Sequence, residues 1–389
     1  MKRLLIKNFG PIRIADITLG RLNIFIGPQS AGKSTLLKLA CHCDWLERQV
    51  IISQDPEIFF ESSSFVNGLV SFHKLDGYIQ VDSYIRYEND ALTFEYDAKT
   101  QTIKYSLTED SWDYKRTKIS YIPSERNIVS AIDNWFQIKM ERNNIQSFME
   151  DWEYARRHYE SSQAILDLPF SYRYNPNDKS DNLVISNGQE IKLSNASSGL
   201  QSLVPMSMML NYLTDEFFKM NEKSVEEKSM HERLDNKVAE IFPDLSVEKQ
   251  KSIVENMLKW NHSNLYIEEP EAHLFPNTQK RFIYSLVEML NGPKKHNCCI
   301  ATHSPYILTT INNLILAGEI SSKSRDYAGK VQMRFDEKQQ LHFRDVTAFY
   351  INDGTAVSIM DDESKLIAAE AIDGVSEDIE QDLEYLLGI

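Results

Sequence analysis

Short apolar runs separated by turn signals open the chain: Leu4 to Ile6, Gly10-Pro11, Ile17 to Leu19, Gly20, then Leu22 to Ile26. The pattern predicts two or three short strands. The last run enters the loop Gly27-Pro28-Gln29-Ser30-Ala31-Gly32-Lys33-Ser34-Thr35 and then the helix-like Leu36-Leu37-Lys38-Leu39-Ala40. From Phe60 to Tyr105 the chain is rich in Tyr, Phe, Ile and Val with period-two stretches such as Leu92-Thr93-Phe94-Glu95-Tyr96, which predicts antiparallel hairpins. Lys118 to Ile122 reads as a further strand stopped by Pro123.

Residues 134–166 turn helical and charged, with Trp135, Phe148, Trp152 and Tyr159 among them. This predicts a short helical insertion, since a coiled-coil arm needs many more heptads. Another hairpin, Phe170 to Leu193 with turns at Asn175-Pro176-Asn177 and Asn187-Gly188, leads through Ser197-Ser198-Gly199 into a Met- and Leu-rich helix up to Leu213. A charged helical stretch over residues 214–260 is broken near Pro243. Leu265 to Ile267 and Cys298 to Ala301 read as buried strands flanking a helix from Thr278 to Leu290. Such alternation predicts an α/β fold with a parallel sheet in its core. The expected organisation is one head over residues 1–355, containing a β-hairpin subdomain at 60–125, the insertion at 134–166 and the charged helices at 214–260. An acidic helical tail follows at 356–389.

Composition changes this picture little. The chain has 389 residues, 42% hydrophobic and 25% charged, ordinary for a globular protein long enough to bury a core without disulfides. A net charge of -15 disfavours wholesale coating of nucleic acid or of an anionic membrane, though a local basic groove stays open. From Asp361 onward there are ten carboxylates and one lysine. The N-terminal apolar run is interrupted by Lys7 and Asn8, too early for a signal peptide, and no stretch approaches a membrane span. Four cysteines, Cys41, Cys43, Cys298 and Cys299, make no disulfide framework, so the expectation is a cytoplasmic protein. Cys41-His42-Cys43 offers zinc-ligand chemistry, but residues i and i+2 of a helix point to different faces, which favours buried small side chains.

Chemistry enters with Gly27 to Ser34, which satisfies G-x-x-x-x-G-K-[ST] between a predicted strand and a predicted helix. Small residues let backbone N–H groups surround phosphates at the helix N-terminus, Lys33 reaches the β and γ phosphates, and Ser34 binds Mg²⁺. A second acidic group at a neighbouring strand end is needed for the metal, and a base is needed for water. Leu265-Tyr266-Ile267-Glu268-Glu269-Pro270-Glu271 supplies both: Glu268 toward the hydrated metal, Glu269 toward the attacking water. Glu268 stands where most such sites have Asp. His303 follows another buried strand in Ile300-Ala301-Thr302-His303-Ser304-Pro305, where it reads as a γ-phosphate sensor or as a structural histidine.

With these motifs in order, the chain resembles the ATP-binding-cassette superfamily: Walker A at Gly27 to Ser34, a signature-like Ser197-Ser198-Gly199-Leu200-Gln201, Walker B at Leu265 to Glu269 and the His303 switch. The opening Ile6-Lys7-Asn8-Phe9, the block Glu268 to Leu274 and Thr302-His303-Ser304-Pro305 are similar to the SMC, RecF and OLD branch. The resemblance implies a P-loop NTPase, an ABC-ATPase head with a mixed core sheet, an antiparallel β subdomain and helical insertions. It also implies a head-to-head homodimer with ATP and Mg²⁺ between the P-loop of one copy and Ser197, Ser198 and Gly199 of the other. The family signature is Leu-Ser-Gly-Gly-Gln, so Ser198 replaces its first glycine. Tyr121 to Asn127 resembles the segment that brings an arginine near the nucleotide in OLD-like ATPases, which makes Arg126 a nucleotide ligand or, alternatively, a partner of Glu125.

By the same resemblance the chain looks like an ATPase of bacterial anti-phage defence without a fused nuclease, switching a separately encoded nuclease or toxin. A RecF-like repair ATPase that clamps DNA is the alternative; a transporter motor fits the insertions less well. Lys115, Arg116, Arg142, Arg156 and Arg157 lie among aromatic residues suited to nucleic acid, yet are interleaved with Glu141, Glu150, Asp151 and Glu153 as on a solvated face. Asp361-Asp362-Glu363 invites a two-metal nuclease reading, but the remaining chain is too short to house that domain, and a charged helix from Asp361 to Leu387 is expected.

Overall fold

The computed structural model describes residues 2–219 and 225–368. Strands β1 (Lys2–Phe9), β2 (Ile12–Leu19) and β3 (Leu22–Ile26) lead into α1 (Lys33–Ser53), which starts at the loop lysine. Two helices follow, α2 (Pro56–Phe60) and α3 (Ser62–His73), where hairpins were expected from Phe60. The reason is spacing: Phe65 and Leu69, four apart, are buried while Ser63, Ser64, Asn67 and Ser71 are exposed, a helical stripe hidden in an aromatic-rich segment. The hairpins begin later, with β4 (Ile79–Glu88), β5 (Leu92–Asp97) and β6 (Thr102–Leu107). The strand β7 (Thr117–Ile122) pairs in parallel with the core instead of joining them, so the expected 60–125 subdomain is too wide at both ends.

Next come the single turn α4 (Ile128–Ala131) and α5 (Asn144–Arg156). The helical insertion is thus shorter than 134–166: Asn143 caps α5, its side chain accepting from the N–H groups of Ile145 and Gln146. Strands β8 (Gln163–Ala164), β9 (Phe170–Asn175), β10 (Ser180–Ile185) and β11 (Glu190–Lys192) make a small antiparallel sheet. Then α6 (Ser198–Thr214), α7 (Val225–Ile241) and α8 (Val247–Leu258) precede β12 (His262–Glu268), α9 (Pro276–Leu290), β13 (Asn297–Thr302), α10 (Pro305–Ser321) and α11 (Arg325–Gln332). The described chain ends in β14 (Val346–Asn352), β15 (Thr355–Ser358), β16 (Met360–Asp361) and β17 (Leu366–Ile367).

The start of the expected tail is therefore strand, not helix, and the 355/356 division falls inside β15. Asp361 turns the β16–β17 hairpin, its carboxylate accepting from the N–H groups of Glu363 and Ser364, while Ile367 is buried. The rest of that tail lies outside the described residues.

Among the described residues, eleven strands form one sheet in the order β6-β5-β4-β1-β2-β15-β14-β3-β13-β12-β7. From β14 to β7 all neighbours run parallel; from β6 to β2 all run antiparallel. The anticipated α/β fold with a mixed sheet is what the chain adopts. The run Leu22 to Ile26 is buried at all five positions, Asn23 included, because both faces are covered. Leu22, Ile24 and Ile26 pack into a core with Phe148, Met206, Phe282 and Ile311 from α5, α6, α9 and α10. Phe25, Tyr266, Cys299 and Ala301 face the other way, onto Leu36, Leu37 and Ala40 of α1. All four cysteines are free and buried, as the spacing of Cys41 and Cys43 suggests. No helix among the described residues is long and apolar enough to cross a membrane.

Candidate functional site

Parallel register brings four strand ends together. Ile26 is level with Thr302, Ala301 with Glu268, and Ile267 with Ile122. The chain leaves these ends as Gly27, His303, Glu269 and Pro123, so segments far apart in sequence meet at the carboxyl edge of the sheet, where open α/β sheets bind ligands.

The loop from β3 to α1 is held in a shape few residues accept. Gly27 has φ 154°, and a Cβ there would stand 2.1 Å from the Ile351 carbonyl oxygen; Gly32 has φ 107°, and a Cβ would meet Ile12 Cδ1 at 2.4 Å. Both glycines are therefore demanded by close approach. Pro28, Gln29 and Ser30 are exposed, Ala31 and Ser34 half-buried, and Lys33 and Thr35 buried. The first N–H groups of α1 have no intrahelical partner and point into this loop. Lys33 Nζ donates to the carbonyls of Gly27 (2.9 Å) and Pro28 (2.7 Å). Burial lowers its pKa to about 8 against the opposing pull of Glu269 and Glu271.

Alternation along β12 aims its carboxylate. Asn264 and Tyr266 bond Asp44 of α1, so Glu268, two residues on, faces the same side, toward the start of α1. Glu268 is buried, and its Oε2 accepts from the Ser124 N–H (3.2 Å) and lies 3.3 Å from Ser124 Oγ. Glu269 leaves the strand with φ 41°, a left-handed conformation that costs a non-glycine residue about 1–2 kcal/mol. Its N–H donates to the Ala301 carbonyl at 2.8 Å, and its Oε1 lies 3.6 Å from His303 Nε2. Both side chains remain partly open to solvent.

Arg126, expected at the nucleotide, is instead fully buried, with its guanidinium turned onto the main chain: Nη1 donates to the carbonyls of Pro123 (3.2 Å) and Glu268 (2.8 Å), Nη2 to that of Glu269 (2.8 Å). Burial pulls its pKa down to about 10 despite the carboxylates around it. The physical reason is competition: carbonyl oxygens at a loop entrance take up both Nη groups as phosphate oxygens would, while Nε is buried without a partner. The bond to Glu125 is not made; that carboxylate accepts from Ser124 Oγ.

Ser197 and Ser198 are exposed at the N-terminus of α6, with no side-chain cap bond, while Gly199 lies against the loop after β12: a Cβ there would be 2.9 Å from the His273 carbonyl oxygen. Gln201 serves its own loop, donating to the Ser194 carbonyl at 2.9 Å. Two residues without a sequence-derived role also belong to the site. Ser124 holds Glu268, and Glu271 Oε1 accepts the His303 N–H at 2.5 Å. Only the repeated carboxylate of Glu268-Glu269-Pro270-Glu271 hinted at the second.

The oxygens at the end of β12 and the start of α1 fit a magnesium ion in kind. Mg²⁺ prefers hard oxygen donors, keeps several waters and takes one or two protein ligands beside phosphates. A Ser34 hydroxyl and a Glu268 carboxylate are such a set. No group of three or more His, Cys, Asp or Glu able to hold a metal occurs among the described residues.

Residues 51–308 match the family AAA_15, described as an AAA ATPase domain. The match covers more than half of the chain, starts late in α1 and contains Glu268, Glu269 and His303. Among solved structures the chain is similar to an SMC head domain from Thermotoga maritima, with 12% identity, a TM-score of 0.40 and coverage of 92% of this chain and 97% of that one. It is also similar to RecF of the RecFOR pathway, with 10% identity, a TM-score of 0.31 and coverage of 92% and 97%. A dimeric bacterial ABC transporter cassette matches with 10% identity, a TM-score of 0.29 and coverage of 91% and 96%. No curated protein matches the chain.

Proposed function

This chain belongs to the AAA ATPase domain family, and from that premise we propose that it is a Mg²⁺-dependent ATPase working as a nucleotide-driven switch. The backbone of Gly27 to Thr35 and Lys33 bind the phosphates; Ser34 and Glu268 hold the metal; Glu269 polarises the attacking water; His303 senses the γ-phosphate. Arg126 acts at one remove, holding the Glu268 and Glu269 carbonyls and so the aim of both carboxylates. The observation that carries this reading is the convergence of Lys33, Glu268, Glu269 and His303 at adjoining strand ends, with His303 3.6 Å from Glu269.

Ser197, Ser198 and Gly199 cap the nucleotide of a second copy, so ATP closes a homodimer and hydrolysis opens it. Support comes from the exposed, uncapped N-terminus of α6, whose N–H groups and dipole suit a phosphate. The controlled partner is a separately encoded nuclease or toxin of bacterial anti-phage defence. This part rests on the likeness of Glu268 to Leu274 and Thr302 to Pro305 to OLD-type ATPases. Of the basic residues considered for direct DNA contact, Arg156 is withdrawn from solvent: it is buried, ion-paired with Glu153 and Asp181 and packed over Trp135 and Tyr174.

Mass photometry of the wild type and of Glu269→Gln, each with and without Mg-ATP, tests the switch. ATP should populate a dimer, more persistently in the variant that traps it. An ATP-bound chain that stays monomeric in both forms would remove Ser197 to Gly199 from the nucleotide site.

A further inference from the structure

Glu271 has no part in the scheme above, yet it makes the bond that fixes where His303 starts. Thirty-two residues away in sequence, its Oε1 accepts the His303 N–H at 2.5 Å. The neighbouring residue is secured separately: Ser304 Oγ donates to Gln279 Oε1 at 2.6 Å and the Ser304 N–H to Thr302 Oγ1 at 3.0 Å. The loop carrying Glu271 is itself braced, by Ala272 N–H on the Glu269 carbonyl (2.9 Å) and Leu274 N–H on the Glu271 carbonyl (2.8 Å). One short brace therefore carries both the carboxylate of Glu269 and the acceptor for His303. The imidazole is left partly open to solvent and 3.6 Å from Glu269.

We propose that Glu271 is a positioning residue: by accepting the His303 N–H it locks the main chain of the switch loop to the loop of the water-polarising carboxylate, so that His303 and Glu269 act as one unit. This rests on the roles given above to Glu269 and His303. A charge-assisted bond to a main-chain N–H is among the stronger hydrogen bonds. It restrains the loop without using the imidazole, which stays free for nucleotide. What the bond requires of position 271 is an acceptor oxygen, and glutamine keeps one.

The test is steady-state ATPase kinetics of Glu271→Ala, Glu271→Gln, His303→Ala and the double variant Glu271→Ala/His303→Ala, with hydrogen exchange of the peptide around His303. The expected results are a fall in kcat of about tenfold or more for Glu271→Ala with KM for ATP changed by less than about twofold, and recovery of most of that loss in Glu271→Gln. The double variant should be no slower than His303→Ala, because residues acting through one another are non-additive. Exchange near His303 should rise in Glu271→Ala and stay at the wild-type level in Glu271→Gln.

Glu271→Gln as slow as Glu271→Ala would overturn the proposal in favour of a charge effect on Lys33. Equal further loss in the His303→Ala background, or unchanged exchange in Glu271→Ala, would also overturn it. If His303→Ala turns over ATP like the wild type, the parent reading of His303 fails, while the exchange result still reports whether the bond exists.

Discussion

Helix α1 carries charged groups at its start and again near its middle, and the two regions are built differently. Eleven residues past Lys33, about 16 Å along the helix, Asp44 is saturated with partners. Lys2 Nζ lies at 2.7 Å, Asn264 Nδ2 at 2.5 Å and Tyr266 Oη at 2.6 Å. Burial opposes the charge on Lys2, but Asp44 and Glu47 outweigh it and raise its pKa above the usual lysine value. At the loop end Lys33 has only carbonyls to bond, its pKa is lowered by burial, and the neighbouring Glu271 Oε2 is enclosed without a partner. A saturated network holds a fold together, whereas under-satisfied charge of both signs leaves interaction energy for a ligand to collect.

Asp44→Ala should break the contrast at its structural end. Removing one member of a buried ion pair costs about 3–5 kcal/mol, read as a lower denaturant midpoint, while ATP affinity per folded molecule stays near wild type. Lys33→Ala should do the reverse. Loss of a charged hydrogen bond, about 1.5–3 kcal/mol, weakens ATP binding by calorimetry while the thermal midpoint of the free protein holds or rises. An equal loss of stability in both variants would erase the distinction.

The smallest effect concerns pH. Free Lys33 loses its proton near pH 8, whereas bound phosphates would keep it charged to higher pH. Above pH 8 binding should therefore take up a proton, and affinity should fall with rising pH by at most about tenfold per unit. Calorimetry in buffers of different ionisation enthalpy measures that proton directly. Proton release on binding in this range would mean that another group dominates.

What was legible in the chain divides along the same line. The placement of the loop Gly27 to Thr35, the pair Glu268-Glu269 and His303 at strand ends could be read because each follows a short apolar run. The strand ends themselves were marked by the short runs Ile24 to Ile26, Leu265 to Ile267 and Cys298 to Ala301. Arg126 was legible as a guanidinium near the site but not in its direction, since carbonyls and phosphates compete for the same donors. The role of Glu271 depends on the register of β12 against β13, which no local pattern states. The helix α3 was concealed because two buried residues, Phe65 and Leu69, give too thin a stripe among neighbouring aromatics.

The central claim is that Glu269 performs hydrolysis at a P-loop that binds ATP without it. Single-turnover cleavage of γ-labelled ATP by wild type and Glu269→Gln, with binding measured on the same samples, tests it most directly. The account predicts comparable ATP affinity in the two proteins and cleavage slower by about 10²–10⁴-fold in the variant, the range for losing a general base. Cleavage by Glu269→Gln at the wild-type rate, or a wild type that does not bind Mg-ATP, would contradict it.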